Sequence, residues 1–177
     1  MPQKRFLGIT TLSPFFQTEG VDAVVANLVD RAGATAVACN TSVTEPAPDG
    51  QGSFQPPDDA GASVRLFDRP LWGKQALWLR SAPGHFAQSA HFAGSPYQPR
   101  AGDDLTERAG PVIGQFIRAA KAGGLKVYIQ TGAVQPPGML EEDTPRLPNG
   151  KIPPARMAAT GSLASPAIRA YNRALTQ

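Results

Sequence analysis

Four side chains that could take part in chemistry follow short apolar stretches of this sequence. Asn40 and Gln130 end two predicted strands, and Glu19 and Glu45 come a few residues after predicted strands. A carboxyl group can transfer a proton or attack as a nucleophile, and an amide can donate and accept hydrogen bonds at once. Backbone capping is the alternative for the amides and loop exposure for the carboxylates, and both alternatives stay open.

Aromatic side chains concentrate in one stretch of the chain. Their rings offer flat apolar surfaces to a ligand, and the same rings can anchor a long loop. We select Trp72 and Tyr97 as candidate ligand contacts and expect the others to anchor the loop. The residues weighed are Trp72, Trp78, Phe86, Phe92 and Tyr97.

Three further features receive a structural interpretation. His85 and His91 lie six residues apart without a pattern of acids or cysteines, so we expect no metal and no cofactor. Cys39 is the single cysteine, which excludes an internal disulfide, and its apolar neighbours predict a small buried side chain. The acidic run Glu141–Asp143 is typical of a solvated surface.

The N-terminal part of the chain predicts strand, helix and strand. Phe6–Thr11 is the first strand and Thr35–Asn40 is the second. Between them, "GVDAVVANLVDRAG" places apolar residues along one helix face, and Gly33 ends the helix. A helix followed closely by a buried strand indicates the βαβ unit of a parallel sheet.

Long loops separate the remaining predicted elements. Residues 41–100 read as a loop with a hairpin built from "SVRLF" and "KQALWLRS". A helix follows that kinks or restarts at Pro111, with Asp103 or Asp104 as its cap and Glu107 as the capping-box partner of Asp104.

The last predicted elements are a strand and a helix. Leu125–Gln130 has a nearly continuous apolar run, which predicts burial on both faces, and we expect Tyr128 to fill the core. After a second long loop, Ser165 caps a helix that begins with Pro166. Its inward positions are Ile168, Tyr171 and Leu175.

The order of elements predicts a parallel α/β fold. The long segments follow the strands, whereas the links from helix to strand are two or three residues, which is the asymmetry of a TIM barrel. No Gly-rich phosphate-binding turn follows the first strand, which disfavours a doubly wound fold. Three strands cannot close a barrel, so we expect a partial (β/α)8 barrel, its first three βα units, with residues 1–177 the N-terminal part of one domain.

The chain resembles the N-terminal part of TIM-barrel proteins of the glycoside hydrolase-like superfamily. The stretches that carry the resemblance are "GLKVYIQTGAVQPP", "LASPAIRAYNRALTQ" and the loop "RSAPGHF…GSPYQPR". In such barrels the catalytic carboxylates typically end the fourth and later strands. The resemblance therefore implies a carbohydrate-directed hydrolase-like fragment that lacks its acid and its nucleophile.

This resemblance assigns substrate-binding roles to five residues and leaves the catalytic residues unknown. Asn40 and Gln130 would hydrogen-bond sugar hydroxyls, Trp72 and Tyr97 would stack on sugar rings, and Glu45 would reach the barrel mouth. Two alternatives stay open: a sugar isomerase or epimerase barrel, which uses a divalent metal, and a non-catalytic half-barrel that associates with itself or another chain.

Charge and composition exclude other partners. The net charge is +3, and lysines and arginines are scattered, so no basic track for a nucleic acid is present. No signal-peptide pattern and no apolar stretch of about 20 residues occur, so we expect a cytoplasmic protein without a membrane partner.

Overall fold

The computed structural model describes residues 5–55, 71–74, 76–130, 135–154 and 160–176. The predicted strand "SVRLF" lies outside these ranges. The chain divides into two compact units, the first comprising Met1–His85 with Gly102–Gln130 and the second Phe86–Ala101 with Thr131–Gln177. Each unit contains its own cluster of buried apolar side chains.

The first unit holds all the described strands and most of the described helices. In chain order they are β1 (Gly8–Thr11), α1 (Ser13–Thr18), α2 (Val21–Ala26), β2 (Ala36–Cys39), β3 (Ser42–Ala47), β4 (Ser53–Gln55), β5 (Leu77–Pro83), α3 (Asp104–Ala109), α4 (Pro111–Ala122) and β6 (Lys126–Ile129). A π-helical turn, Asn27–Arg31, extends α2 over most of the predicted helix.

Strands β1, β2 and β6 form a parallel sheet in the order β1-β2-β6. The register aligns Ile9 with Val37 and Val37 with Val127. The expected parallel α/β arrangement is confirmed for these three strands. The described residues form no closed barrel, and an antiparallel sheet of three further strands accompanies the parallel one.

Within the first unit, helices α2 and α4 pack against one face of the parallel sheet. Ile9, Val37 and Val127 share that face because they lie at one register level, and all three belong to the main core. Helices α2 and α4 supply the opposing apolar stripe, and Cys39 is fully buried there as expected. The helices and the sheet therefore form two layers, with the apolar stripes of α2 and α4 buried against the sheet.

Helix α1 lies within Leu12–Glu19, between the first predicted strand and the first predicted helix, where the sequence, with Pro14, predicts a loop. It is only six residues long, too short to show a helical period, and Phe16 is its buried anchor. The ring of Phe16 stacks on that of Phe116 of α4, with centroids 4.4 Å apart and planes 11° apart. An aromatic pair of this kind contributes about 0.5–1.5 kcal/mol beyond its burial, so it fixes α1 against α4.

Strand β6 contradicts the expectation of burial on both faces. Tyr128 is 52% exposed and Ile129 is 46% exposed, and within the described part of the chain β6 pairs with β2 alone. A continuous apolar run is typical of a central strand, which other elements cover on both faces. In the described residues β6 is an edge strand, so part of its apolar run stays exposed. The expectation that Tyr128 fills the core is therefore wrong.

The second sheet is antiparallel, with the order β3-β5-β4. Strand β5 overlaps the predicted "KQALWLRS" hairpin strand and continues two residues beyond it to Pro83, but both of its neighbours lie in segments predicted as loop. Pro46 within β3 is typical of a loop in sequence, and β3 tolerates it because it is an edge strand of this sheet.

A side chain of α1 occupies the outer edge of β3. Gln17 donates from Nε2 to the carbonyl oxygen of Thr44 at 2.8 Å, and the Thr44 amide donates to Gln17 Oε1 at 3.1 Å. The amide side chain therefore replaces the backbone of a neighbouring strand, which is one way to satisfy an exposed edge. This contact fixes the backbone next to Glu45.

Helices α3 and α4 meet at Gly110, and α4 restarts at Pro111 as predicted. Asp103, one of the two predicted caps, accepts from the Leu105 and Thr106 amides, and Thr106 rather than the predicted Glu107 completes the capping box. Glycine is required at the junction, since a Cβ on Gly110 would lie 2.6 Å from the Gly84 carbonyl oxygen. This close approach holds α3 beside the end of β5.

The second unit contains helix α5 (Pro166–Ala174) and two short 3-10 turns, Ser89–Phe92 and Glu141–Asp143. Ser165 caps α5 as predicted, accepting from the Ile168 amide at 3.2 Å. Tyr171 and Ile168 are buried as predicted, and Phe92 and Tyr97 pack with them.

Asp143 contradicts the expectation of a solvated acidic run, because its side chain is buried. The Tyr97 hydroxyl donates to one carboxylate oxygen, and Ser165 Oγ donates to the other at 2.5 Å. The hydrogen bonds from Ser165 and Tyr97 lower the pKa of Asp143. One buried carboxylate thereby ties a loop tyrosine to the cap of α5.

The Ser165 hydroxyl is therefore expected to stabilise the second unit through two contacts. Ser165→Ala removes the helix cap and leaves the Asp143 carboxylate with fewer donors, so we expect a loss of about 1–3 kcal/mol. Urea unfolding followed by circular dichroism measures it. Thr176→Ala, an exposed hydroxyl at the end of the same helix, is the control and should cost less than about 0.5 kcal/mol. Equal losses for the two variants would contradict the role given to Ser165.

Candidate functional site

One face of the antiparallel sheet carries charged and aromatic side chains in register. Directly opposite residues of antiparallel strands share a face, and the pairs are Val43 with Ala82, Glu45 with Arg80, and Ala47 with Trp78. Strand β4 adds Phe54 opposite Trp78. The face therefore changes from buried apolar, through charged, to an aromatic pair.

Arg80 is the centre of the charged part of this face. Its Nε and Nη2 donate to Glu45 Oε1 at 2.9 and 2.6 Å. Helix α3 supplies the other acceptors: Nη1 donates to Asp103 at 3.2 Å and to Asp104 at 3.1 Å, and Nη2 also donates to Asp104. Arg80 thus joins β3, β5 and α3 with a fork geometry suited to carboxylates.

A second arginine from α3 completes the network. Arg108 Nη2 donates to Glu45 Oε2 at 3.0 Å and to Asp104 Oδ2 at 3.1 Å. Arg108 and Asp104 are four residues apart and therefore neighbours on the helix surface. Each oxygen of Glu45 thus receives a guanidinium donor from a different element.

The two arginines keep the carboxylates ionised. Hydrogen bonds from Arg108 and Arg80 lower the pKa of Glu45, and those from Arg80 and Arg108 lower the pKa of Asp104 to about 2. The pKa of Arg80 is raised in turn, first by Asp104 and then by Glu45. A carboxylate held in this state accepts hydrogen bonds but is a poor general acid at neutral pH.

An aromatic pair lies next to this network. The rings of Phe54 and Trp78 are tilted at 49° with centroids 5.3 Å apart. Phe54 is 49% exposed, and Trp78 lies two residues from Arg80 on the same face of β5, about 6.8 Å along the strand. From β3 the residue opposite Trp78 is Ala47, which has a small side chain, and Trp78 itself is half-buried.

A small cavity adjoins the charged residues, with a volume of about 290 Å³. Its size is at the lower end of the range for ligand pockets. It is lined by Glu45, Pro46, Ala47, Pro48, Gln51, Gly52 and Arg80. Gly52 has a φ of +80°, and a Cβ there would lie 2.2 Å from the Leu79 carbonyl oxygen, so only glycine allows this approach of the loop to β5.

No protein-family model, curated protein or solved structure matches the chain. The case for a site therefore depends on the geometry of the side chains themselves. We call Phe54, Trp78, Glu45 and Arg80 the platform.

Of the residues selected from sequence, Glu45 lies in the platform, and Asn40 lies just before β3, the strand that carries Glu45. Asn40 Oδ1 accepts from the Ser13 amide at 2.9 Å, and its Nδ2 donates to Ser42 Oγ at 2.7 Å. The amide thereby joins the start of α1 to the start of β3, which is the capping role left open above. Gln130 follows β6, where its backbone amide donates to the Cys39 carbonyl and its side chain is exposed.

The two selected aromatic residues lie elsewhere. Trp72 packs with Leu77 and Leu79, which project from the opposite face of β5 to Arg80. Tyr97 belongs to the second unit, where its ring is buried with Tyr171 and its hydroxyl donates to Asp143. Both rings therefore contribute to packing, and neither joins Glu45 on its face.

Sequence reasoning missed Arg80, Asp104, Arg108 and Phe54, and it treated Trp78 as a loop anchor. The alternation of "LWLR" in β5 was the available signal, because it places Trp78 and Arg80 on one face. The partners of Arg80 are 35, 23 and 24 residues away along the chain. No local pattern indicates such pairs.

Metal-ligand clusters and membrane-spanning helices are both absent from the described residues. No group of three His, Cys, Asp or Glu side chains in them could hold a metal ion. No helix among them has the length and apolar character needed to cross a bilayer.

The lowered pKa of Asp104 predicts how the network responds to acid. A carboxyl group with a depressed folded-state pKa stabilises the fold above its ordinary pKa of about 3.9, and this contribution is lost as pH falls toward about 2. The difference in unfolding free energy between wild type and Asp104→Asn should be constant from pH 7 to 5 and should shrink below pH 4. Denaturant titrations at stepped pH measure it.

Asp30→Asn is the control, because it changes the net charge equally at an exposed helical position outside the network. A difference for Asp104→Asn that stays constant down to pH 3 would contradict the assigned ion pairs.

Proposed function

We propose that this protein binds carbohydrate on the platform. The observation that carries the proposal is the register of the antiparallel sheet, which places the Phe54–Trp78 pair directly beside the Glu45–Arg80 pair. A sugar ring has apolar C–H faces and hydroxyl groups at its edge. Aromatic rings beside fixed polar groups are the combination that suits both.

The exposure of Phe54 supports a binding role. A protein gains nothing in stability from leaving a phenyl ring half in water, and clustered exposed apolar groups commonly mark interaction sites. Phe54 lies on β4, which is held to β5 by three register pairs and by the close approach at Gly52. The rings are therefore carried on strands, which favours a prepared surface over a mobile one.

The charged part of the platform supports binding rather than hydrolysis by these residues. Glycosidases use one protonated carboxyl group and one carboxylate across the scissile bond, whereas Glu45 and Asp104 are both held ionised by arginines. Glu45 is partly exposed, with 27% of its side chain accessible, and Oε2 accepts from Arg108. That oxygen retains acceptor capacity for a hydroxyl group.

The resemblance to glycoside hydrolase-like barrels leads to the same ligand class. Within the first unit, helices α2 and α4 pack on one face of the parallel sheet and short links lead into β2 and β6, which supports an arrangement like the first βα units of a (β/α)8 barrel. Catalysis would then belong to later strands of such a barrel. The isomerase-type alternative, with its divalent metal, stays a prediction.

Association with a second copy also stays a prediction, and β6 is the strand that favours it. Tyr128 and Ile129 are exposed on this edge strand, and Phe6 and Leu7 are exposed beside β1, the opposite edge of the same sheet. Since both edges belong to one parallel sheet, β1 of a second copy could extend it next to β6 in the same direction.

The platform predicts which substitutions weaken saccharide binding. We would titrate hexasaccharides of β-1,4-linked glucose, mannose and galactose by calorimetry, and expect at least one to bind. Phe54→Ala and Trp78→Ala should each weaken that binding about tenfold, because truncating an aromatic anchor at a binding surface commonly costs more than 1 kcal/mol.

Phe86→Ala is the matched control, since Phe86 is 61% exposed and belongs to the other unit. It should leave affinity unchanged. Binding that is insensitive to Phe54→Ala and Trp78→Ala, or the failure of all three hexasaccharides to bind, would contradict the proposed function.

A further inference from the structure

We infer that the platform accepts uncharged saccharide units and discriminates against units that carry a carboxylate. This inference rests on the proposed function and concerns the substrate class of the same site. It comes from the hydrogen-bond inventory of Arg80 and from the charge balance around it.

Arg80 has no donor left for an anionic sugar. A guanidinium has five N–H donors. One, on Nε, points to Glu45; the two on Nη1 are directed at Asp103 and Asp104; and the two on Nη2 are directed at Glu45 and Asp104. An arginine that recognises a sugar carboxylate needs two parallel donors free, and here a protein carboxylate already occupies each direction.

The charge balance of the network is negative. Among the described residues, the network consists of three carboxylates, Glu45, Asp103 and Asp104, that accept from two guanidiniums, Arg80 and Arg108. The formal sum of three negative and two positive charges is one negative charge. A ligand carboxylate placed against Glu45 would therefore meet like charge, although the whole chain carries a net charge of +3.

The remaining acceptor capacity of Glu45 suits hydroxyl groups. From the described residues, Glu45 Oε2 receives one donor, from Arg108, and so can accept another. The cavity beside Glu45 and Arg80 is small, and prolines and glycine form much of its wall. A neutral sugar whose ring lies on Trp78 could donate a hydroxyl hydrogen bond to Glu45. A sugar that carries a carboxylate would reach the same acceptor only against repulsion between its carboxylate and that of Glu45.

The test compares three forms of one saccharide that differ at C6. The parent is whichever of the glucose, mannose or galactose hexasaccharides binds most tightly; its primary hydroxyls are then oxidised to carboxylates, and the oxidised form is converted to its methyl ester. Calorimetry at low salt should show the parent and the ester binding alike and the acid binding about tenfold more weakly, because a unit charge at close range acts against the network.

A charge variant links this discrimination to the network. Asp104→Asn brings the formal charge of the network from minus one to zero, so the ratio of parent to acid affinity should fall several-fold. Asp30→Asn makes the same change in net charge outside the network and should leave the ratio unchanged.

The outcomes separate this inference from the proposed function. If the acid form binds as tightly as the parent, the inference is overturned while the proposed function stands. The same holds if the ester binds as weakly as the acid, because the size of the C6 group rather than its charge would then determine the affinity. If no parent binds, the proposed function fails and the inference fails with it.

Discussion

The pairing of Glu45 with Arg80 across β3 and β5 is the interaction on which the candidate site depends. Side chains alternate along a strand, so a slip of one residue would move Arg80 to the face occupied by Leu77 and Leu79. The register is fixed from both sides: Val43 and Ala82 enter the main core on one face, and the two leucines pack with Phe15 and Trp72 on the other. With that register given, the aromatic pair must lie beside the ion pair.

The rest of the first unit supports this pairing. Gln17 satisfies the outer edge of β3, and Asn40 links the beginning of β3 to α1. Helix α3 brings Asp104 and Arg108 onto the same face, and the contact of Gly110 with Gly84 holds that helix near the end of β5. Exposed ion pairs contribute little to stability one at a time, so we interpret the network as a means of orienting side chains.

Local patterns predicted the elements whose signals are local. The apolar stripe of α2, the restart at Pro111 and the cap at Ser165 all depend on residues within a turn or two of one another. The antiparallel sheet and the charged network depend instead on pairing between residues far apart in the sequence. Strand β3 looks like loop because of Pro46, and its place in a sheet comes from β5, whose residues lie more than 30 positions later. Arg80 could not be matched with Asp104 for the same reason.

The positions of Trp72 and Tyr97 outside the platform also depend on long-range packing. Trp72 and Tyr97 were selected because they lie in a loop-rich segment, and a loop aromatic can anchor or bind. Burial decided between these roles: Tyr97 is buried in the second unit beside Asp143, whereas Phe54, which has no distinguishing sequence context, is exposed. Exposure depends on the assembled sheet and is not a property of the segment.

The most direct test of the account is fluorescence from the only two tryptophans in the chain, Trp72 and Trp78. Trp72→Phe leaves Trp78 as the sole reporter, and Trp78→Phe leaves Trp72 while it keeps an aromatic ring on the platform. A neutral hexasaccharide titrated into both should shift the emission of the Trp72→Phe protein and leave that of the Trp78→Phe protein unchanged. A response in the Trp78→Phe protein alone would place the ligand on the opposite face of the sheet and contradict the account.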